Sequence, residues 1–97
     1  MNTLFLLLAK YERSPVPLGV VCEEFFGIKE RQASMMAAAQ SLPVPTFKLR
    51  DSERAKWMVD LRDLADHIDQ QRQLARQQYS DVNDMHKISR NQQGRNY

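Results

Sequence analysis

Apolar residues at Leu4, Leu7, Leu8 and Tyr11 have the 3, 4, 7 spacing of one helical face, and Thr3 stands before them as a capping hydroxyl. The spacing predicts a helix over Thr3–Tyr11, with a strand over Phe5–Leu8 as the competing reading because that run is apolar on both faces. Ser14-Pro15-Val16-Pro17 interrupts regular structure, since each proline removes a backbone donor and biases the preceding residue away from helix. Pro17 suits the first turn of a second helix, in which Leu18, Val21 and Phe25 are again 3 and 4 apart and Gly27 takes the left-handed terminating position. Lys29 to Ser41 contains good helix formers with no internal Gly or Pro, and two short helices across a Gly-containing turn make a helix-turn-helix candidate.

Leu42-Pro43-Val44-Pro45 ends that helix. Thr46-Phe47-Lys48-Leu49-Arg50 then alternates, placing Phe47 and Leu49 on one face and Lys48 and Arg50 on the other. A polar loop, Asp51 to Lys56, leads to a returning strand, Trp57-Met58-Val59. A two-stranded hairpin is marginal alone, so Phe47, Leu49 and Trp57 are expected to pack on the helices. Asp60 caps the final helix, Asp63 lies in its first turn, and Leu61, Leu64, Ala65 and Ile68 form its apolar stripe. Helix-compatible sequence continues to Tyr79 and projects from the core, whereas Ser80 to Tyr97 is polar and without period. The expected fold is therefore mainly α with a small β-hairpin: a winged helix-turn-helix domain over 1–80 with a long C-terminal helix, then a flexible basic tail over 81–97.

At 97 residues the chain suits one small domain and excludes barrels and full doubly wound sheets. The net charge of +2 is uninformative until divided along the chain. Residues 1–28 sum to −1, 29–56 to +3, 57–69 to −3 and 70–97 to +3, so a basic middle is hidden in a near-neutral whole. Cys22 is the one cysteine, which excludes an intramolecular disulfide and suits a reducing, cytoplasmic setting. The apolar run near the start lacks the flanks of a signal peptide and is far short of the about 20 residues that span a bilayer, so it reads as a buried element, with no membrane partner.

No catalytic constellation is present. His67 and His86 have no partner at metal-ligand spacing, Asp60, Asp63, Asp66 and Asp69 read as an N-cap and a solvated helical face, and Gly19, Gly27 and Gly94 are isolated. The expectation is a non-enzyme without metal or cofactor. Helix, turn, helix, basic hairpin, helix suits duplex DNA, with the second helix in the major groove and the hairpin on the backbone or minor groove. The candidate DNA-binding residues are Lys29, Arg31, Gln32 and Ser34 on that helix and Lys48, Arg50, Arg54 and Lys56 on the hairpin. Met35 and Met36 are expected to pack between helices. Leu61, Ile68, Ala75 and Val82 recur every seven residues with Leu64, Gln71, Gln78 and Met85 three further on; the polar second positions weaken a long coiled coil and leave a short homodimer contact.

Several ordered motifs resemble the pyocin activator protein family: Met1 to Tyr11, Val21-Cys22-Glu23-Glu24-Phe25-Phe26-Gly27, Leu42 to Leu49, Asp51-Ser52 followed by Trp57-Met58-Val59, and Asp63-Leu64-Ala65-Asp66-His67-Ile68-Asp69. The likeness covers about residues 1 to 75, and the Leu42 to Trp57 run also resembles the wing of small phage excisionases. The resemblance implies a cytoplasmic DNA-binding activator of prophage or phage-tail-like bacteriocin genes, working with RNA polymerase. It also leaves open an excisionase-type factor that bends DNA beside an integrase; a separate reading, a phage-encoded protein-interaction inhibitor that keeps the fold without DNA binding, has Met35-Met36 as its one support. Met35-Met36 stands where the family resemblance leads one to expect a basic pair, which shifts weight to Lys29, Arg31 and the hairpin.

Overall fold

The computed structural model describes residues 2–94. In chain order the elements are α1 (Thr3–Tyr11), β1 (Val16–Pro17), α2 (Leu18–Val21), a π-helical turn (Cys22–Phe26), α3 (Glu30–Ala38), β2 (Phe47–Lys48), β3 (Trp57–Val59) and α4 (Leu61–Gly94). The fold is mainly helical, with a small antiparallel sheet and a long C-terminal helix, as the hydrophobic pattern predicts.

The cap of α1 is Asn2 rather than Thr3: the Asn2 side chain accepts from Phe5 N at 2.7 Å. Thr3 lies inside the helix and donates through Oγ1 to Asp69 Oδ1 at 2.5 Å, which ties the start of α1 to α4. Leu7 is buried, Leu4 and Tyr11 pack partly against the core, and Leu8 remains exposed at the edge of the stripe.

Ser14 to Pro17 does more than interrupt. Val16 and Pro17 form an edge strand, pairing antiparallel with Val59 and Met58, so the sheet has three strands in the order β1-β3-β2. An edge strand tolerates proline because the missing donor faces no ladder. Val16 and Val59 are opposite each other and both fully buried, and each anchors the sheet to the helices.

Between α2 and α3 the chain widens into the π-helical turn, which Gly27 closes at φ 67° with its N–H donating to Cys22 O and Glu23 O, and Ile28 N then bonds Cys22 O at 3.3 Å. The extra residue lets consecutive Phe25 and Phe26 both reach apolar neighbours. Phe25 meets Tyr11 at 6.5 Å between ring centroids, and Phe26 meets His67 at 6.3 Å. Helix α3 is shorter than the predicted Lys29 to Ser41, ending at Ala38 with Gln40 in a left-handed conformation (φ 55°), and buries Ala33 and Ala37.

Asp60 Oδ1 accepts from Arg62 N at 2.8 Å and Ser14 Oγ accepts from Leu61 N at 3.1 Å, so two unpaired amides at the start of α4 are satisfied. Leu61, Leu64 and Ala65 are buried and Ile68 packs beside them. The chain beyond Tyr79 is not irregular: α4 continues unbroken to Gly94, because nothing before that glycine breaks a helix and the exposed backbone keeps its i to i−4 pattern. The last three residues of the expected tail, 95–97, lie outside the described residues. No helix among the described residues is long and apolar enough to cross a membrane.

Candidate nucleic-acid interface

The first turn of α3 and the loop joining β2 to β3 face each other across an open cleft of about 540 Å³. Its walls include Arg13, Leu18, Gly19, Glu30, Ser34, Glu53, Arg54, Lys56 and Trp57. Three of the predicted residues, Ser34, Arg54 and Lys56, are thereby brought together, with Ser34 half-buried and the two cations exposed. Arg31 and Gln32 are exposed on α3 but do not line the cleft. Lys29 is the N-cap residue of α3 and its Nζ lies 3.7 Å from Glu23 Oε1. Both groups are well exposed, so water and salt weaken the pair.

Arg13 belongs to this cleft and was not among the predicted residues. In the sequence it sits in an acidic segment ahead of a proline run. Pairing of β1 with β3 carries that segment to the hairpin, a long-range contact without a local signal.

Lys48 and Leu49 depart from the alternation. Lys48 is half-buried, its Nζ sitting 4.8 Å from the centre of the Trp57 ring and donating to Ser52 O at 3.0 Å and Glu53 O at 3.5 Å. Its charge therefore braces the hairpin loop from within. Leu49 is 74% exposed instead of packed on the helices, because β2 ends at Lys48 and the chain turns away before the alternation can place Leu49 inward. Arg50 follows it into solvent. Met36 is half-buried, and Met35, instead of packing between helices, is 67% exposed on the outer face of α3.

Away from the residues that line the cleft, Glu24 joins α1 to the π-helical turn. It pairs with Lys10 and accepts from Tyr11 Oη at 2.8 Å, while Lys10 Nζ lies 5.5 Å from the Tyr11 ring centre and 5.8 Å from that of Phe25. The hydrogen bonds from Lys10 and Tyr11 hold Glu24 below its ordinary range. Burial, with the Glu24 hydrogen bond and charge, pushes Tyr11 up to about 12. Among the described residues the ion pairs are Lys10–Glu24 and Lys29–Glu23, so Arg13, Arg31, Arg50, Arg54 and Lys56 have no carboxylate partner there. The same residues contain no grouping of His, Cys, Asp or Glu able to hold a metal ion.

Such an arrangement offers exposed cations on a linker, Arg13, and on a hairpin loop, Arg54 and Lys56, around one concave surface that also holds the carboxylates of Glu30 and Glu53. Its chemistry is anion binding by point charges and hydrogen-bond donors, with a helix face alongside to make directional contacts. Comparison with curated proteins and with solved structures returned no match. The profile of the family described as Pyocin activator protein PrtN matches residues 3–75, which takes in every element from α1 to the packed half of α4 and the whole cleft. The chain belongs to the pyocin activator protein family.

Proposed function

We propose that this protein is a sequence-specific activator that binds duplex DNA as a winged helix-turn-helix, with α3 in the major groove and the β2–β3 hairpin as the wing. The observation that carries the reading is the convergence of Arg13, Arg54 and Lys56 on the cleft beside α3, none of them neutralised by a carboxylate among the described residues. Phosphate neutralisation by these cations supplies affinity, and α3 supplies base contacts from its leading turn and from its outer face, where Arg31, Gln32 and Met35 are exposed. Bound upstream of a pyocin gene, the protein acts through RNA polymerase.

The test is titration of DNA from its own locus at several salt concentrations. Each phosphate contact contributes about −0.9 to the slope of log K against log salt, so Arg54→Glu with Lys56→Glu flattens the slope by about 2 and weakens binding at every sequence alike. No binding by the unaltered protein at low salt, or an unchanged slope in the double variant, overturns the proposal. Strong bending confined to attachment-site DNA would replace the activator role with the excisionase role on the same surface.

A second copy of the chain is the proposed partner of α4. Leu74, Tyr79, Val82 and Met85 are 50%, 72%, 50% and 67% exposed, and at 3.6 residues per turn Ala75, Tyr79 and Val82 continue the side of the helix that Leu61, Leu64 and Ile68 bury. Between 70 and 85 the charges run Arg72, Arg76, Asp81, Asp84. Antiparallel pairing with Ala75 level with Val82 brings the arginines of one copy level with the aspartates of the other, whereas parallel pairing brings like charges level. At 1.5 Å per residue that register sets the two packed ends roughly 40 Å apart, close to the 34–36 Å between half-sites one DNA turn apart. Sedimentation equilibrium should give a dimer that Tyr79→Asp with Val82→Asp makes monomeric; a monomer at all concentrations refutes the pairing.

A further inference from the structure

Glu30 is an acidic residue in a place where phosphate binding has no use for one. It opens α3, is exposed, lines the same cleft as Arg54 and Lys56, and has no ion-pair or hydrogen-bond partner for its carboxylate among the described residues. Its carboxyl group lies flat against Gly19 of α2: a methyl group built on Gly19 would stand 2.7 Å from Cδ, 2.9 Å from Oε1 and 3.0 Å from Oε2. The missing side chain at Gly19 is what leaves room for the carboxylate to lie there, on the cleft side of α3 and one turn from Ser34.

A carboxylate that only repelled phosphate would weaken every complex equally. At the first turn of a helix entering the major groove it does something more selective, because the leading residues of such a helix meet base edges. A carboxylate is acceptor-only, and the base-edge donor it matches in the major groove is the exocyclic amino group of cytosine. We infer that Glu30 is a specificity-determining residue that accepts a hydrogen bond from cytosine N4, and that Gly19 is its positioning residue. The inference rests on the DNA-binding reading above and adds to it a base identity and the atoms that select it.

Selection of binding sites from a randomised duplex library, with the full chain, tests it. The unaltered protein should enrich cytosine at one position of each half-site. Glu30→Gln keeps the shape, removes the charge and substitutes a side chain suited to adenine N6 and N7, so cytosine preference at that position should fall by roughly tenfold while other positions keep theirs. Gly19→Ala pushes the flexible carboxyl end aside without altering α3, and should blur the same position while leaving the salt slope unchanged and the thermal transition intact. If Glu30→Gln tightens binding to all sequences in equal proportion with base preferences unchanged, Glu30 only repels phosphate and the inference is overturned. If the unaltered protein enriches sequences but shows no cytosine preference, the inference fails and the DNA-binding reading stands. If it enriches nothing, both fail.

Discussion

Replacing Lys48 with Met separates two jobs that the hairpin's basic residues share in the sequence. The methionine keeps much of the aliphatic stem over Trp57 and removes the ammonium group, which sits 4.8 Å from the ring centre and donates to Ser52 O and Glu53 O. A partly exposed cation–π contact contributes about 0.5–1 kcal/mol, and a hydrogen bond about 0.5–1.5 kcal/mol net. The Glu53 bond is long, and ordering a lysine side chain costs entropy, so the expected loss is about 1–2 kcal/mol. In a domain of this size that lowers Tm by roughly 5–15 °C. Because the ammonium is turned into the loop, the slope of log K against log salt should change by much less than the ~0.9 expected for a lost phosphate contact. Circular-dichroism melting and DNA titration on the same preparation measure both quantities. A slope reduced by a full contact, with Tm unchanged, would refute the assignment of Lys48 as a brace and return it to the phosphate-binding set.

Gly27→Ala should cost about 1–2 kcal/mol by urea unfolding, since the residue sits at φ 67° with nothing within 4 Å of an added methyl, leaving only the left-handed backbone penalty; a loss above about 3 kcal/mol would mean the π-helical turn itself collapses. Tyr11 is pushed up to about 12 from 10.0, so the folded state holds the phenolic proton more tightly and stability should decline as pH rises from about 10 through about 12. Tyr11→Phe should remove that contribution, and phenolate absorbance showing Tyr11 ionising at its ordinary value would refute it. Glu24 is held low, so its contribution is present above 4.5 and is lost as pH falls below that value, an acid-side decline in Tm that Glu24→Gln should flatten.

Much of the fold is legible in local pattern. The stripes at Leu4 and Leu7, at Leu18 and Val21, and at Leu61, Leu64 and Ala65 specify helices because burial of one face dominates their stability. Gly27 is legible because few other residues adopt its conformation at low cost. What is missed depends on partners distant in sequence. Val16 and Pro17 carry no strand signal of their own, and only Val59 and Met58, more than 40 positions on, make them one. Asn2 displaces Thr3 as a cap because Thr3 bonds Asp69 instead. At the site, Arg54, Lys56 and Ser34 are legible as polar residues on the right elements, whereas Lys48 looks like its neighbours until Trp57 is folded against it. Glu30 has no sequence signal beyond suiting a helix start; where its carboxyl group lies is set by Gly19, against which it rests.

The edge strand β1 connects the stability of the hairpin to the composition of the cleft. A two-stranded ribbon of this length, with two residue pairs between β2 and β3, has little stability of its own in water. The third strand supplies Val16, fully buried opposite Val59, and so anchors β3 from the side away from β2. The same pairing fixes where the chain emerges from α1, and Arg13 is thereby set beside Arg54 and Lys56. Weakening β1 should consequently lower hairpin stability and cation density in the cleft together, even though none of its residues carries charge. Val16→Ala is the variant in which those two effects are coupled, and Arg13→Ala the one in which cation density falls while the strand stays paired. Comparing their salt slopes separates the electrostatic part of the interface from the packing that positions it: a slope lowered equally in both, with Tm reduced only for Val16→Ala, is the result this coupling requires.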